Sequence, residues 1–403
     1  CIIQDSPDDW NQESSKMHRI YSDACLNISA AVSTGSSVGI FESSDRSRLL
    51  LEPPLAIPGF SRKENSEGWT FYQFCDPAQN LETSNIVQRR AWVWQESELT
   101  SRRIDYASKL RWVCRTTSHT EFNPTGDAYD PFSGGNHNFY GEVSTHYDPF
   151  PNIGLLNLDV NLPLSYWYNG LDRFRRRKIT YLQDRLPAIA GVAKIVQQRT
   201  HYNYKAGLWL EEIHRGLLWI STVLGQRPST TRAPSWSWAS VSGEFIARSL
   251  DHHIYEKGHR AVIIDVKVEC NASDPFSYVL SASLTLRSGC QALSYWSGSQ
   301  KQIDNAAILT NKLDNPKHRP YNYPARTGLV MYTLDDLSDA LKRDILCIQI
   351  AKFTESFTEP DVYALLLGPT GVEEDQYKRV GIARIPEDNG IADGWGVSTV
   401  TIV

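Results

Sequence analysis

Ala261-Val262-Ile263-Ile264-Asp265-Val266-Lys267-Val268 is where the chain changes its period to two. Val262, Ile264, Val266 and Val268 alternate with outward residues, which is the pattern of a strand with one buried face. Leu280, Ala282, Leu284 and Leu286 repeat it, and Ile345 to Phe353, Val362 to Leu367, Val380 to Ile385 and Val397 to Val403 continue the series. Six or more strands with no helix between them predict an antiparallel sandwich or barrel for the C-terminal part.

Upstream of this run the period is helical. Thr180 to Gln183 fits a capping box, and Leu182, Leu186, Ile189, Ala190, Ala193 and Val196 mark an apolar stripe. Pro187 has no N–H to donate, so it kinks or restarts that helix. A second helix is expected over Leu208 to Val223, with Trp209, Ile213, Leu217 and Ile220 on one face, followed by a turn-rich linker from Pro228 to Ser242. Thr116 to Asn152 holds many Gly, Pro, Asn, Asp and His residues without any period, which reads as a long surface loop.

Further back, Ile104 to Ala107 and Leu110 to Cys114 read as short strands, and Asn85 to Glu98 as one helix. Residues 42 to 82 are an irregular connection with one strand near Trp69–Phe74. At the front, Cys1-Ile2-Ile3-Gln4-Asp5 reads as the end of a buried strand, so the chain is expected to start inside a domain. Ser6 suits an N-cap, Pro7 the first helical position, and Asp8 and Asp9 the positive end of the dipole. Trp10, Met17, Tyr21 and Ala24 share one helical face, and Cys25 to Val32 is β-type. Strand, capped helix and strand make one α/β crossover.

Composition narrows the function classes. The 403 residues correspond to two or three ordinary domains, and a formal net charge of -5 supplies no global basic field for nucleic acid. No apolar run has the length of a spanning helix. Seven scattered cysteines without a C-x-x-C pair read as reduced, mostly buried thiols in an intracellular protein. Ten histidines show no H-E-x-x-H, and His252-His253 with His259 lacks acids or thiols at zinc spacing, so no metal site is expected. Phosphate-cradling glycine loops do not occur, and no cofactor is implied by the residues themselves.

A resemblance does emerge. Cys1-Ile2-Ile3-Gln4-Asp5-Ser6 with Asp9-Trp10, Glu13, Met17 and Ile20-Tyr21 resembles the middle of the fungal heterokaryon-incompatibility (HET) domain. Arg90-Ala91-Trp92-Val93-Trp94-Gln95-Glu96 with Leu99 and Ser101-Arg102-Arg103 is similar to its closing segment. Asp184 to Ala188, Gly191 to Ala193, Ala206 to Trp209, Leu217-Leu218-Trp219 and Pro234 to Ser240 resemble the region that often follows, and Tyr377 to Ile382 the end of such proteins. The motif positions are thus Cys1, Gln4, Asp5, Trp10, Met17, Tyr21, Arg90, Trp92, Gln95 and Glu96. The family's opening segment has no counterpart, so a chain lacking that segment is expected.

The residue patterns and the resemblance together predict a mixed α+β and α/β architecture. Residues 1–115 are the C-terminal part of a HET-like unit, a partial TIR/flavodoxin-like α/β arrangement. Residues 116–165 are an irregular loop region, 166–240 a helical HET-associated region, and 241–403 an antiparallel β-rich domain. The resemblance also implies an intracellular fungal protein of non-self recognition that triggers cell death, acting through an unknown protein partner or self-association. The TIR analogy adds an alternative, NAD cleavage with a carboxylate base, and an inactive relative is the third class.

Candidate chemistry is sparse. Asp5, Asp9 and Glu13 crowd a strand end and the first helical turns, with Asp9 and Glu13 at i, i+4. They read either as an acid/base group or as plain helix-end decoration. Glu96 stands either in a cleft or on a solvated helix face. Gly35-Ser36-Ser37-Val38-Gly39 matches G-x-S-x-G, but the following residues show no helical stripe for a nucleophile elbow. Arg173, Arg175, Arg176, Arg177 and Lys178 form the only dense basic run. It reads as a solvated lead-in or a phosphate or import signal, which leaves nuclear as well as cytoplasmic residence open.

Overall fold

Ser6 does cap a helix: the Asp9 N–H donates to Ser6 Oγ at 3.4 Å, and Pro7 opens α1 (Pro7–Ser22). The computed structural model describes residues 6–35, 37, 39–40, 55–57, 71–73, 86–107, 110–114, 117–120, 127–128, 161–221, 233–242, 245–246, 258–271, 275–276, 278–293, 302–303, 306–309, 329–334, 345–353, 361–386 and 393–403. They fall into two compact units, one of Arg19–Leu156 and one of Cys1–His18 with Asn157–Val403. The proposed strand Cys1 to Asp5 lies outside the described residues.

In the Arg19–Leu156 unit, β1 (Asn27–Ser29) is shorter than the expected Cys25 to Val32. A separate hairpin is made by β2 (Leu55–Ile57) and β3 (Phe71–Gln73), the latter within the strand expected near Trp69–Phe74. The helix expected over Asn85 to Glu98 is broken. Val87–Arg89 is one 3-10 turn, and Arg90 is extended (φ -83°, ψ 135°) before α2 (Ala91–Leu99) begins. The strands β4 (Arg102–Tyr106) and β5 (Leu110–Cys114) fall where the sequence places them. Next come β6 (Thr117–Thr120) and β7 (Asp127–Ala128), inside the stretch read as surface loop.

The sheet order is β1-β4-β5-β6-β7, parallel only between β1 and β4 and antiparallel elsewhere. An antiparallel meander with one parallel neighbour is mixed α/β. The described residues do not establish the parallel doubly wound sheet of the TIR/flavodoxin expectation.

In the second unit, α3 (Asn161–Phe174) begins inside the stretch expected to be irregular. Thr180 caps no helix. Two 3-10 turns, Leu182–Asp184 and Pro187–Ile189, precede α4 (Ala190–Thr200), so Pro187 restarts the helix as its missing N–H requires.

The long helix over Leu208 to Val223 is overturned. Ala206 (φ 46°) and Gly207 (φ 92°) form a two-residue left-handed turn between β8 (Tyr204–Lys205) and β9 (Leu208–Trp209). Only a 3-10 turn and α5 (Ile213–Gly216) follow, and then β10 (Ile220–Ser221) pairs with β11 (Phe245–Ile246). Hairpin geometry has outweighed the 3.6-residue stripe, whose Trp209, Ile213 and Leu217 are nonetheless buried.

The C-terminal strands form one nine-stranded sheet. They are β12 (Val262–Cys270), β13 (Val279–Leu293), β14 (Gln302–Ile303), β15 (Ala306–Leu309), β16 (Leu329–Leu334), β17 (Ile345–Phe353), β18 (Asp361–Pro369), β19 (Gln376–Pro386) and β20 (Gly396–Ile402). Pairing is antiparallel except for β15 with β16 and β19 with β20. Every residue from Asp361 to Gly368 is buried, so β18 is covered on both faces, which is why it reads as a continuous apolar run. Val362, Ala364, Leu366, Val380, Ala383 and Ile385 form a core cluster with Ile345, Cys347 and the partly buried Trp395.

The alternation on β12 holds only in part. A register shift between Ile263 and Asp265 turns Val262 and Ile264 out to solvent, while Val266 is buried. A second shift, between Glu269 and Cys270, leaves Leu280 exposed. The bulge and the exposed Lys267 are the devices that blunt an edge strand against stray pairing. Five described cysteines are free thiols, but only Cys347 is buried, correcting the expectation of mostly buried ones.

Candidate functional site

Within the Arg19–Leu156 unit, Tyr21 and Glu96 meet although 75 positions separate them. Tyr21 stands in the last turn of α1 and Glu96 in the middle of α2. The Tyr21 hydroxyl bonds to the Glu96 carboxylate, an acceptor when ionised. Burial, then the Glu96 charge and this hydrogen bond, push the Tyr21 phenol well above its ordinary range, while Arg90 pulls it the other way. Glu96 therefore faces a half-buried neutral donor with a guanidinium nearby.

Why α2 presents Glu96 follows from its neighbours. Val93, Trp94 and Gln95 are buried and Trp92 is half-buried, so the alternate tryptophans do face different environments. The next turn is closed by Thr100, whose hydroxyl donates to the Glu96 carbonyl at 2.6 Å and accepts from Asn27 Nδ2 at 3.2 Å. Ser97 and Gln88 bond each other at 2.9 Å across the break at Arg90. These bonds fix the helix that carries the carboxylate.

The other carboxylate candidates are placed differently. Glu13 accepts from Lys16 Nζ at 2.6 Å in a half-exposed i, i+3 pair, a helix-surface arrangement. Asp9 is half-buried in the first turn of α1 and donates its N–H to the cap. Asp5, Cys1 and Gln4 lie outside the described residues, as does the side chain of Trp10. Met17 is buried. The G-x-S-x-G stretch has Ser36 and Val38 outside the described residues, and among the described ones nothing lies within 4 Å of a Cβ added at Gly35.

Sequence reading missed a buried charge cluster on β4 and β5. Asp105 accepts from Arg103 Nε at 2.8 Å and pairs with Arg111 at 3.2 Å, directly across the ladder. Burial lowers the Arg111 pKa to about 10, with Asp105 opposing and Arg103 reinforcing that shift. The only sequence signal was the alternation of Arg103 and Asp105 on one strand face.

The segments that resemble the post-HET region converge on each other instead of on a cleft. Trp238 Nε1 donates to the Gly207 carbonyl at 2.9 Å, and Ser237 Oγ donates to the Ala206 carbonyl at 2.7 Å. Trp219 Nε1 donates to the Trp236 carbonyl at 2.9 Å. Arg379 is fully buried, donates to the carbonyls of Leu217 and Trp219 at 2.6 Å each, and lies 3.5 Å from the Trp219 ring centroid. Its own N–H bonds Ser235 Oγ at 2.9 Å. Arg185 donates to the Val241 carbonyl, and Asp184 accepts from the Tyr278 hydroxyl at 2.9 Å. Burial lowers the Arg185 pKa to about 10.

The basic run is partly neutralised: Asp172 accepts from Arg175 Nε at 2.5 Å and lies 3.8 Å from Arg176. Among the described residues no group of three His, Cys, Asp or Glu can hold a metal ion. Among the described residues no helix is long and apolar enough to cross a membrane.

Tyr21, Arg90 and Glu96 are thus brought together within the Arg19–Leu156 unit. Residues 1–96 match the family model described as Heterokaryon incompatibility protein (HET). Over this segment the chain is similar to that family, in line with the motif residues quoted above. No curated protein and no solved structure matches the chain.

Proposed function

We propose that this chain acts in heterokaryon incompatibility, as a fungal non-self recognition protein whose HET segment drives cell death. The observation that supports this reading most is the Tyr21–Glu96 bond, which joins two motif residues of the matched segment. It acts in the cytoplasm, or in the nucleus if the Arg175-Arg176-Arg177-Lys178 run is read there, through a protein partner or self-association.

The chemistry of the site favours a second reading, cleavage of NAD. Glu96 offers an acceptor oxygen beside a neutral phenol, an arrangement that orients a carboxylate toward a sugar hydroxyl or a water. Tyr21 then acts as a positioning residue. Asp5, Asp9 and Glu13 remain the other carboxylate candidates for that reaction.

Inducible expression of the full-length gene product in a fungal cell tests both. Growth arrest that Glu96→Gln abolishes at equal protein level, together with loss of NAD consumption, supports the enzymatic reading. Arrest that survives removal of charge at Asp5, Asp9, Glu13 and Glu96 leaves an assembly or interaction module. A well-expressed, harmless protein counts against the cell-death reading altogether.

A further inference from the structure

His214 and His259 lie face to face in the second unit, ring centroids 3.8 Å apart and planes 10° from parallel. His214 belongs to α5, and His259 sits just before β12, forming an isolated antiparallel bridge with Ala351 on β17. His214 Nε2 bonds the Ala261 carbonyl at 2.8 Å. A carbonyl only accepts, so Nε2 carries the hydrogen and Nδ1 is the site open to a second proton.

The surroundings hold the stack in one place. The N–H groups of Arg260 and Ala261 both donate to the Ile350 carbonyl, at 3.0 and 3.1 Å. Ser288 Oγ on β13 donates to the Arg260 carbonyl at 3.2 Å. Gly258 is pressed so closely on β17 that a Cβ there would stand 2.2 Å from the Lys352 carbonyl oxygen. This is the crossing where the chain enters the edge strand β12.

We propose that the His214–His259 stack is an acid-sensitive clasp, fastening the entry of β12 to α5 and β17 while His214 is neutral and releasing it as His214 gains a proton. Two imidazolium rings in this geometry place like charges within 4 Å or so of each other, where repulsion is strong. Burial already disfavours a charged His214, the Ala261 bond opposes that, and the charge on His259 adds to it, so its pKa lies below the ordinary histidine value.

The other charged side chains on the packed elements are Glu211, Glu212 and Arg215 near His214, Arg260 beside His259, Asp265, Lys267 and Glu269 on β12, Lys352 on β17, and Arg287 opposite Val262 on β13. Glu212 and Arg215 pair with each other. Among the described side chains, His259 is the charge that bears on His214.

The sign follows from linkage. With the closed-state pKa of His214 depressed, the open state binds more protons once pH falls below the ordinary histidine value near 6.5. The clasp is therefore fully closed above that value and weakens as pH falls through it.

Hydrogen exchange by mass spectrometry on the whole chain, at pH 7.5 and 5.5 and corrected for intrinsic exchange, reads this directly. The peptide covering residues 258–266 should open on the order of tenfold more at the lower pH, while a peptide from β18 should not change. His259→Phe keeps a stacked ring without a proton site, and His214→Gln keeps an N–H for Ala261. His214→Gln should remove the acid response and His259→Phe should weaken it. An equal rise in parent and variants, or no rise in the parent, overturns the clasp. If His214→Gln fails to fold, the exposed position 259 still decides.

Discussion

Motif residues direct their polar atoms differently in the two units. Around Trp219, Trp236 and Trp238, each bonded side-chain hydrogen goes to a backbone carbonyl, and Arg379 does the same with two of its own. In the Arg19–Leu156 unit, Tyr21 and Glu96 turn toward each other, one phenol and one carboxylate. A side chain committed to carbonyls is locked for packing, because moving it orphans a buried backbone group. A side chain bonded to another titratable group is held ready to exchange a partner or a proton. Equal density of motif letters along the sequence thus covers two different jobs.

Arg379→Met tests the packing side most harshly. It empties the bonds to Leu217 and Trp219 and removes the cation from the Trp219 face. A loss of about 3 kcal/mol is expected in urea unfolding, since hydrogen bonds from charged groups contribute about 1.5–3 kcal/mol each and relief of the buried charge offsets part. A near-neutral result would dissolve the contrast.

Gly207→Ala comes next. The backbone there has φ 92°, and the new Cβ would stand 2.8 Å from Trp238 Nε1. The expected cost is about 2 kcal/mol, from a strained left-handed residue and a displaced indole. Thermal melting with tryptophan fluorescence shows both, because the indole itself reports.

Ser237→Ala removes one donor bond to Ala206 and the cap acceptor for the Ala239 N–H. About 1 kcal/mol is expected, and a loss as large as that of Arg379→Met would make Ser237, not Arg379, the pivot of this region.

Glu96→Gln should have the smallest stability effect, within about 0.5–1 kcal/mol, because a neutral amide can still accept from Tyr21. Its signature is spectroscopic. Without the Glu96 charge, one tyrosine should ionise at lower pH in alkaline difference absorbance. Since the folded phenol resists ionisation, the Tyr21 contribution to stability is present below about pH 10 and fades as pH rises beyond it. The variant should lose part of that alkaline sensitivity, and identical titration curves would separate Glu96 from Tyr21.

Much of the strand architecture was legible because Val266, Leu284 and Leu286 keep the buried face of a period-two pattern and the run Val362 to Leu367 prints burial on both faces. What escaped were short elements set by turn chemistry. Ala206-Gly207 makes a hairpin inside a helical-looking stripe, and Arg90 breaks what reads as one helix. The exposed Val262 and Ile264 were hidden because a bulge inverts faces without leaving a mark on residue type. Glu96 was visible as a candidate, but its partner was not. No local rule connects position 21 with position 96.

The separations within the tryptophan region have a kinetic side. Arg379 bonds carbonyls 160 and 162 positions earlier, and the Ser235 N–H donates to the carbonyl of Val403 at 3.1 Å. A ribosome that has just released Trp219, Trp236 and Trp238 has not yet made the residues that seal them. Such non-local closure makes for slow folding and a long interval of exposed aromatic surface. The nascent chain is therefore expected to need chaperone cover until β19 and β20 have been synthesised, and lowering chaperone capacity should reduce its yield.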